Sequence, residues 1–299
     1  MKKFILLSIG FVLATLICFL AILSTANGRT DPFYIRFTTP PQENLIIGTS
    51  RAAQGVVPSV LKDKLGVDMF NYSFTILQSP FGPTYLNSIK KKLKENTTNG
   101  TFIITVDPWS ISSSYKDPNN VAFFKESELC LGNTHYVNMN PNFDYLINNM
   151  KGEYLSILTK RNHEALLHED GWLEVSPNMD AAVVAQKTNN LIAKYQEHGL
   201  NNNKFSALRF EYLIKTIDFL KAHGQVYLVR LPVHPRMMEI EEQLMPDFNA
   251  KLNEISTLTE GYYDLTYLND SVLFTDGNHL YKESGKYVSA VLADWILTK

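Results

Sequence analysis

Asn44-Leu45-Ile46-Ile47-Gly48-Thr49-Ser50-Arg51 is an apolar run that stops at a glycine and a serine. It reads as a short buried strand followed by a turn. A helix-like segment follows near Pro58 to Leu65, and the unit then recurs. Asp68 to Ser73 is a second short strand, and Thr84 to Glu95 an amphipathic, Lys-rich surface helix. Thr101 to Val106 is a third buried strand. Further on, Phe205 to His223 reads as a long helix and Gln225 to Leu231 as a fourth buried strand. Met237 to Leu258 is helical with a break at Pro246. Tyr262 to Leu265 is a fifth strand, and Ser284 to Leu297 a closing helix. Apolar strands alternating with amphipathic helices imply an α/β fold, a parallel sheet with helices on both faces.

Ser110 to about Lys204 interrupts the alternation. The stretch is polar and aromatic-rich, with a helical part at Asp180 to Tyr195. A connection this long between core strands is a lid, a subdomain or a packed decoration.

Outside the alternating region, the N-terminus stands apart. Lys2 and Lys3 precede an uncharged run from Phe4 to Leu23. About 20 residues of helix span roughly 30 Å, one hydrocarbon core. The lysines favour a cytoplasmic N-terminus, which puts the rest of the chain outside the cytoplasm, periplasmic or extracellular. A cleaved signal peptide is the rival reading, since Ser24 and Ala26 are small. Its apolar core is usually shorter, about 7–15 residues. Residues 1–27 are therefore read as a transmembrane anchor or signal segment, and polar, Pro-containing 28–43 as a stalk. Residues 44–299 form one domain with an insertion at about 110–204.

Composition narrows the function classes. Of 299 residues, 45% are hydrophobic and 19% charged, with a net charge of -2. That excludes a disordered chain and gives no sign of a nucleic-acid partner. Cys18 lies in the apolar run, so it and Cys130 make no disulfide framework. The seven histidines show no paired helical spacing, so no metal is expected. Gly48 to Arg51 lacks the further glycines and the lysine of a phosphate loop, and no cofactor is expected.

In open parallel sheets, ligands bind beyond the carboxyl ends of the strands. Ser50 follows the first strand and precedes a helix, which exposes its hydroxyl at the sheet edge. A serine hydroxyl needs an adjacent base. His279 is a candidate base, and Asp276, three residues earlier, can fold back to the other ring nitrogen. Ser50 also reads as an ordinary helix cap, and Asp276-Gly277 as an ordinary turn. The pairing of both at the first and last strand ends favours catalysis.

These residues carry a resemblance. Gly48-Thr49-Ser50 and Asp276 to His279 resemble the first and last motifs of the SGNH (GDSL-type) hydrolase superfamily. Thr49 replaces the aspartate of the first motif. The Gly-Thr-Ser-Arg form, Asp107-Pro108-Trp109-Ser110 and the N-terminal anchor resemble its membrane-anchored extracytoplasmic branch, of the DltD and alginate-acetylation type. The resemblance covers roughly Asn44 to Trp295, but no motif covers the middle. It implies a three-layer flavodoxin-like fold, with Ser50 as nucleophile, His279 as base and Asp276 as its orienting carboxylate. It also implies an oxyanion hole from the backbone after the nucleophile turn, at Ser50, with Ser73 standing where the family has a glycine. Asp107 stands where the family has an asparagine. A carboxylate there accepts hydrogen bonds and repels an oxyanion.

Arg51 and Arg230 follow strands and suit an anionic glycan. Alternatively, Arg51 neutralises Asp107. Trp109 suits a sugar ring or the core. His234 reads as a loop residue or an alternative base. The combined expectation is a membrane-anchored serine esterase or O-acyltransferase acting on a cell-envelope polysaccharide or another acyl ester. The alternative is a non-catalytic scaffold that binds glycan or partners a membrane acyltransferase.

Overall fold

The computed structural model describes residues 1–150, 152–159 and 164–299. Its centre is a five-stranded sheet. The strands are β1 (Leu45–Ile47), β2 (Phe70–Asn71), β3 (Gly100–Thr105), β4 (Gly224–Arg230) and β5 (Gly261–Asp264). Their order is β2-β1-β3-β4-β5, and every neighbouring pair is parallel. This is the flavodoxin-like doubly wound order, with its reversal between β1 and β3.

Alternate strand residues feed two different cores. Leu45, Ile47, Phe102, Ile104, Val226 and Leu228 face one layer. Ile46, Ile103, Tyr227 and Val229 face the other. A strand buried on both sides reads as a continuous apolar run, which is why these strands were legible. The first layer holds helices Pro83–Lys92, Ala207–Lys221 and Phe248–Ser256, through residues such as Ile89, Ile217 and Leu252. The second holds Ser50–Gly55, Pro58–Leu65 and Lys282–Ile296, through Ala52, Leu61 and Leu292. The expected helix break at Pro246 lies between helices Pro235–Leu244 and Phe248–Ser256.

Helix Lys2–Leu23 is long and apolar enough to cross a membrane. Phe4, Leu6, Phe11 and Leu13 on it are exposed, as no core helix would leave them. Its last residue, Leu23, enters the first core, and Phe19 sets its ring edge-on to Tyr154 at 5.0 Å.

The expectation of a stalk at 28–43 is corrected. Tyr34, Arg36 and Phe37 are fully buried in or beside the first core. The Arg36 guanidinium donates to the carbonyls of Pro32, Asn71 and Gly171. Burial pulls its pKa down to about 10. Polar and proline residues surround these three side chains in sequence, so the average over the segment conceals them.

The Lys-rich surface helix also needs correction at one position. Lys92 is fully buried, and its ammonium donates to Thr39 O, Thr39 Oγ1 and Val137 O. It lies 5.0 Å from the Phe70 ring centre. Thr39 thus clamps the N-terminal segment to the sheet layer. The insertion is likewise no free appendage. Cys130, Tyr145 and Leu146 join the first core, and strands Ala165–Leu167 and Leu173–Val175 pair antiparallel against the sheet edge, where Asn71 N–H donates to Asp170 O.

Lys92 makes a pH-dependent contribution. Burial lowers its pKa from 10.5 to about 7. Between those values the unfolded chain holds a proton that the folded chain has released, so stability rises with pH there. We expect the urea midpoint of the native chain to climb from pH 7 to pH 9 more steeply than that of Lys92→Met. Equal slopes in the two proteins would remove Lys92 from this account.

Candidate active site

The turn after β1 is built around a close approach. A Cβ on Gly48 would sit 1.9 Å from Thr105 Oγ1 on β3, so only glycine fits. Ser50 then opens the six-residue helix Ser50–Gly55. Asn71, at the end of β2, donates to Ala52 O and Val56 O and so caps that helix. Trp172 Nε1 donates to Gln54 O from the insertion side. The serine is therefore held on a short helix fastened at its far end.

The last motif arrives on a closed turn. Thr275 N–H donates to His279 O, and Gly277 takes φ +84° in the left-handed region that favours glycine. Inside this turn Asp276 Oδ1 accepts the backbone N–H groups of Asn278 and His279, each at 3.0 Å. His279 Nδ1 lies 2.8 Å from Asp276 Oδ2, and His279 Nε2 lies 2.8 Å from Ser50 Oγ. With Nδ1–H donating to the carboxylate, Nε2 is left to accept the serine proton. Burial pushes the Asp276 pKa up, but the hydrogen bonds and charge of His279 and the two backbone donors outweigh it, and the net shift is downward. Asp276 thus stays ionised beside the imidazole. The structure brings Ser50, His279 and Asp276 together in one chain of contacts.

The other expected site residues fare differently. Ser73 is fully buried, its N–H faces Asn71 Oδ1 at 3.2 Å, and its hydroxyl donates to Ile46 O. It is committed within the sheet edge and offers no oxyanion donor. Asp107 accepts from Thr49 Oγ1 at 3.1 Å and from Ser110 N–H at 2.9 Å. Its carboxylate is a buried hub of the turn, with its pKa raised by burial. The remaining backbone candidate is the N–H of Ser50 itself.

Arg51, Arg230 and Trp109 do not present their polar groups to the cleft. All three are buried and converge on one carboxylate, Glu241, on helix Pro235–Leu244. Arg51 Nη2 lies 2.6 Å from Glu241 Oε1, and Arg230 Nη2 lies 3.0 Å from Oε2. Trp109 Nε1 donates to Oε1 at 3.0 Å. Arg230 also stacks over Phe248 at 4.7 Å. The expected Arg51–Asp107 pair is thereby replaced by Arg51–Glu241. Burial opposes the charge of Arg51, but Glu241 and Asp107 outweigh it and raise its pKa. Arg51 further donates through Nε and Nη2 to Asn278 Oδ1, joining the first motif to the last. His234 caps helix Pro235–Leu244, its Nδ1 accepting from Arg236 N–H, as a loop residue rather than a base.

Glu241 and Asn278 escaped the sequence reading. Glu241 sits in Glu239-Ile240-Glu241-Glu242, where three acidic residues look alike. The available signal was helical register, because Met237, Ile240 and Glu241 share the buried face. Among the described residues, no cluster of three or more His, Cys, Asp or Glu side chains suits a metal.

Removing Glu241 leaves two buried guanidinium groups without their carboxylate. We expect Glu241→Ala to lose about 3–5 kcal/mol of stability in chemical denaturation. A loss below about 1 kcal/mol would show that water or other acceptors replace it.

No family model matches this chain, and no curated protein matches it. Among solved structures it is similar to the native M. smegmatis aryl esterase, at 12% identity and a TM-score of 0.39, over 85% of this chain and 98% of that one. The inhibitor-bound form of the same enzyme has 12% identity and a TM-score of 0.35 over the same shares. Overlap at these scores is loose, and the reading of the site rests on its side-chain geometry.

Proposed function

We propose that this chain is a membrane-anchored serine esterase or O-acyltransferase that acts on acyl groups of a cell-envelope glycan. The observation that carries the reading is the continuous relay from Ser50 Oγ through His279 to Asp276, with 2.8 Å at each of its two links. In the proposed reaction Ser50 Oγ attacks the acyl carbonyl while His279 Nε2 takes the hydroxyl proton. Asp276 holds the imidazole in the required tautomer and stabilises the imidazolium. The Ser50 N–H faces the developing oxyanion. Collapse breaks the ester C–O bond, and His279 returns the proton to the leaving alcohol. A water or a sugar hydroxyl then gives its proton to His279 and attacks the acyl-Ser50 carbonyl, restoring the serine.

The same proposal includes membrane attachment. Helix Lys2–Leu23 rises about 33 Å at 1.5 Å per residue, enough for one crossing. Lys2 and Lys3 favour a cytoplasmic N-terminus and an extracytoplasmic domain. Burial of Leu23 in the first core supports retention of the helix over cleavage near Ser24 or Ala26. Residues beyond the cleavage point would otherwise lose a packing partner.

Two measurements test the chemistry. Ser50→Ala should lower turnover of p-nitrophenyl acetate by at least about a thousandfold. The native protein mixed with that ester should yield a Ser50 peptide heavier by one acetyl group. Asp276→Asn should lower kcat by roughly 10³–10⁴ with a smaller change in KM, because the tautomer is lost and not the binding surface. Undiminished turnover in Ser50→Ala would sink the reading.

A further inference from the structure

A cavity of about 380 Å³ opens between the segment after β3 and the insertion. That volume lies in the usual range of small-molecule sites, roughly 300–1,000 Å³. Ser50 and His279 do not line it, but two structural links place it next to them. Helix Ala181–Lys194 packs on the catalytic turn, where a Cβ at Gly277 would lie 3.0 Å from Thr188 Cγ2. Tyr195, which lines the cavity, is seven residues further along the same helical path, about 10 Å at 1.5 Å per residue. Trp109, also in the lining, shares the Glu241 carboxylate with Arg51, the neighbour of Ser50.

The cavity lining mixes apolar and polar side chains. Trp109 and Tyr195 meet edge to face at 4.6 Å, and Tyr115 and Leu77 are also in the lining. The lining also holds Ser114, Lys194, His198 and Asn202, all exposed and with no side-chain hydrogen bond among the described residues. Arg209, also in the lining, is 2% exposed and paired with Glu126 at 2.8 Å. Its Nε–H has no acceptor among the described residues. A fatty acyl chain would press hydrocarbon against the serine, lysine, histidine and asparagine groups. A pyranose ring suits this mixed lining, because its C–H faces pack on aromatic side chains and its hydroxyls bond to polar ones.

We propose that this cavity is the subsite for a hexose unit of the acylated glycan, held beside the ester that Ser50 attacks. The proposal rests on the serine-esterase reading and adds the residues that select a sugar. Tyr115, Tyr195, Ser114 and Asn202 determine specificity by binding, and none of them touches the reacting atoms.

The test compares α-D-glucose pentaacetate with p-nitrophenyl acetate on the full chain in detergent. Ser114→Trp fills the cavity, and Asn202→Ala removes an amide; both positions are exposed, so the fold should tolerate them. In each variant the ratio of kcat/KM for the sugar ester to that for the aryl ester should fall at least about fivefold, mainly through KM for the sugar ester. In parallel, saturation-transfer NMR should detect the ring protons of glucose pentaacetate on Ser50→Ala protein, and the signal should vanish when Ser114→Trp is added. An unchanged ratio and an unchanged signal, with aryl-ester turnover intact, would overturn the subsite and leave the esterase reading standing. No aryl-ester turnover, with the NMR signal present and lost in Ser114→Trp, would overturn the esterase reading and leave a sugar site.

Discussion

The buried carboxylate of Glu241 holds the site together. One side chain with no exposure receives Arg51 from the nucleophile helix, Arg230 from the end of β4 and Trp109 from the segment after β3. Two charges taken out of water demand a partner with good geometry, and a single carboxylate with two oxygens meets both. Arg51 then reaches Asn278, two residues after Asp276, so the turn after β1 is tied to the turn that holds Asp276 and His279. The Ser50–His279 contact depends on that tie. Its two partners are 229 residues apart in sequence.

The sheet supplies the rest of the frame. Its order reverses between β1 and β3, and the turn carrying Gly48, Thr49 and Ser50 leaves β1 at that crevice. Thr105 on β3 crowds Gly48 so closely that a Cβ there would collide with its side chain. Asp107 ties the next turn back to Thr49. Asp107 therefore acts as a structural acceptor at the position where the resemblance implied an oxyanion donor.

The insertion does more than decorate the domain. Its hairpin at Ala165–Leu167 and Leu173–Val175 caps the nucleophile helix through Trp172 and pairs Glu174 with Lys282 on the closing helix at 2.8 Å. The Lys282 hydrogen bond outweighs burial and lowers the Glu174 pKa to about 2. The helix Ala181–Lys194 rests on the turn that holds Asp276 and His279 and leads into the wall of the neighbouring cavity. One inserted segment thus braces Ser50, Asp276 and His279 and shapes the space beside them.

The order of strands and helices was legible in the sequence because apolar periodicity is local. Val226 to Val229, or Ile103 and Ile104, read the same before and after folding. Ser50, Asp276 and His279 were legible because each lies just past a strand end or in a turn, where a parallel sheet gathers its chemistry. Tertiary structure alone decided the partners of buried charge. Glu241 looks like its acidic neighbours until Arg51, Arg230 and Trp109 arrive from distant elements. Lys92 looks like surface until Thr39 and Val137 close over it. Ser73 looks available until Asn71 and Ile46 take its donors. In each case the deciding free energy is that of burying a polar group, and its sign depends on atoms that no local window contains.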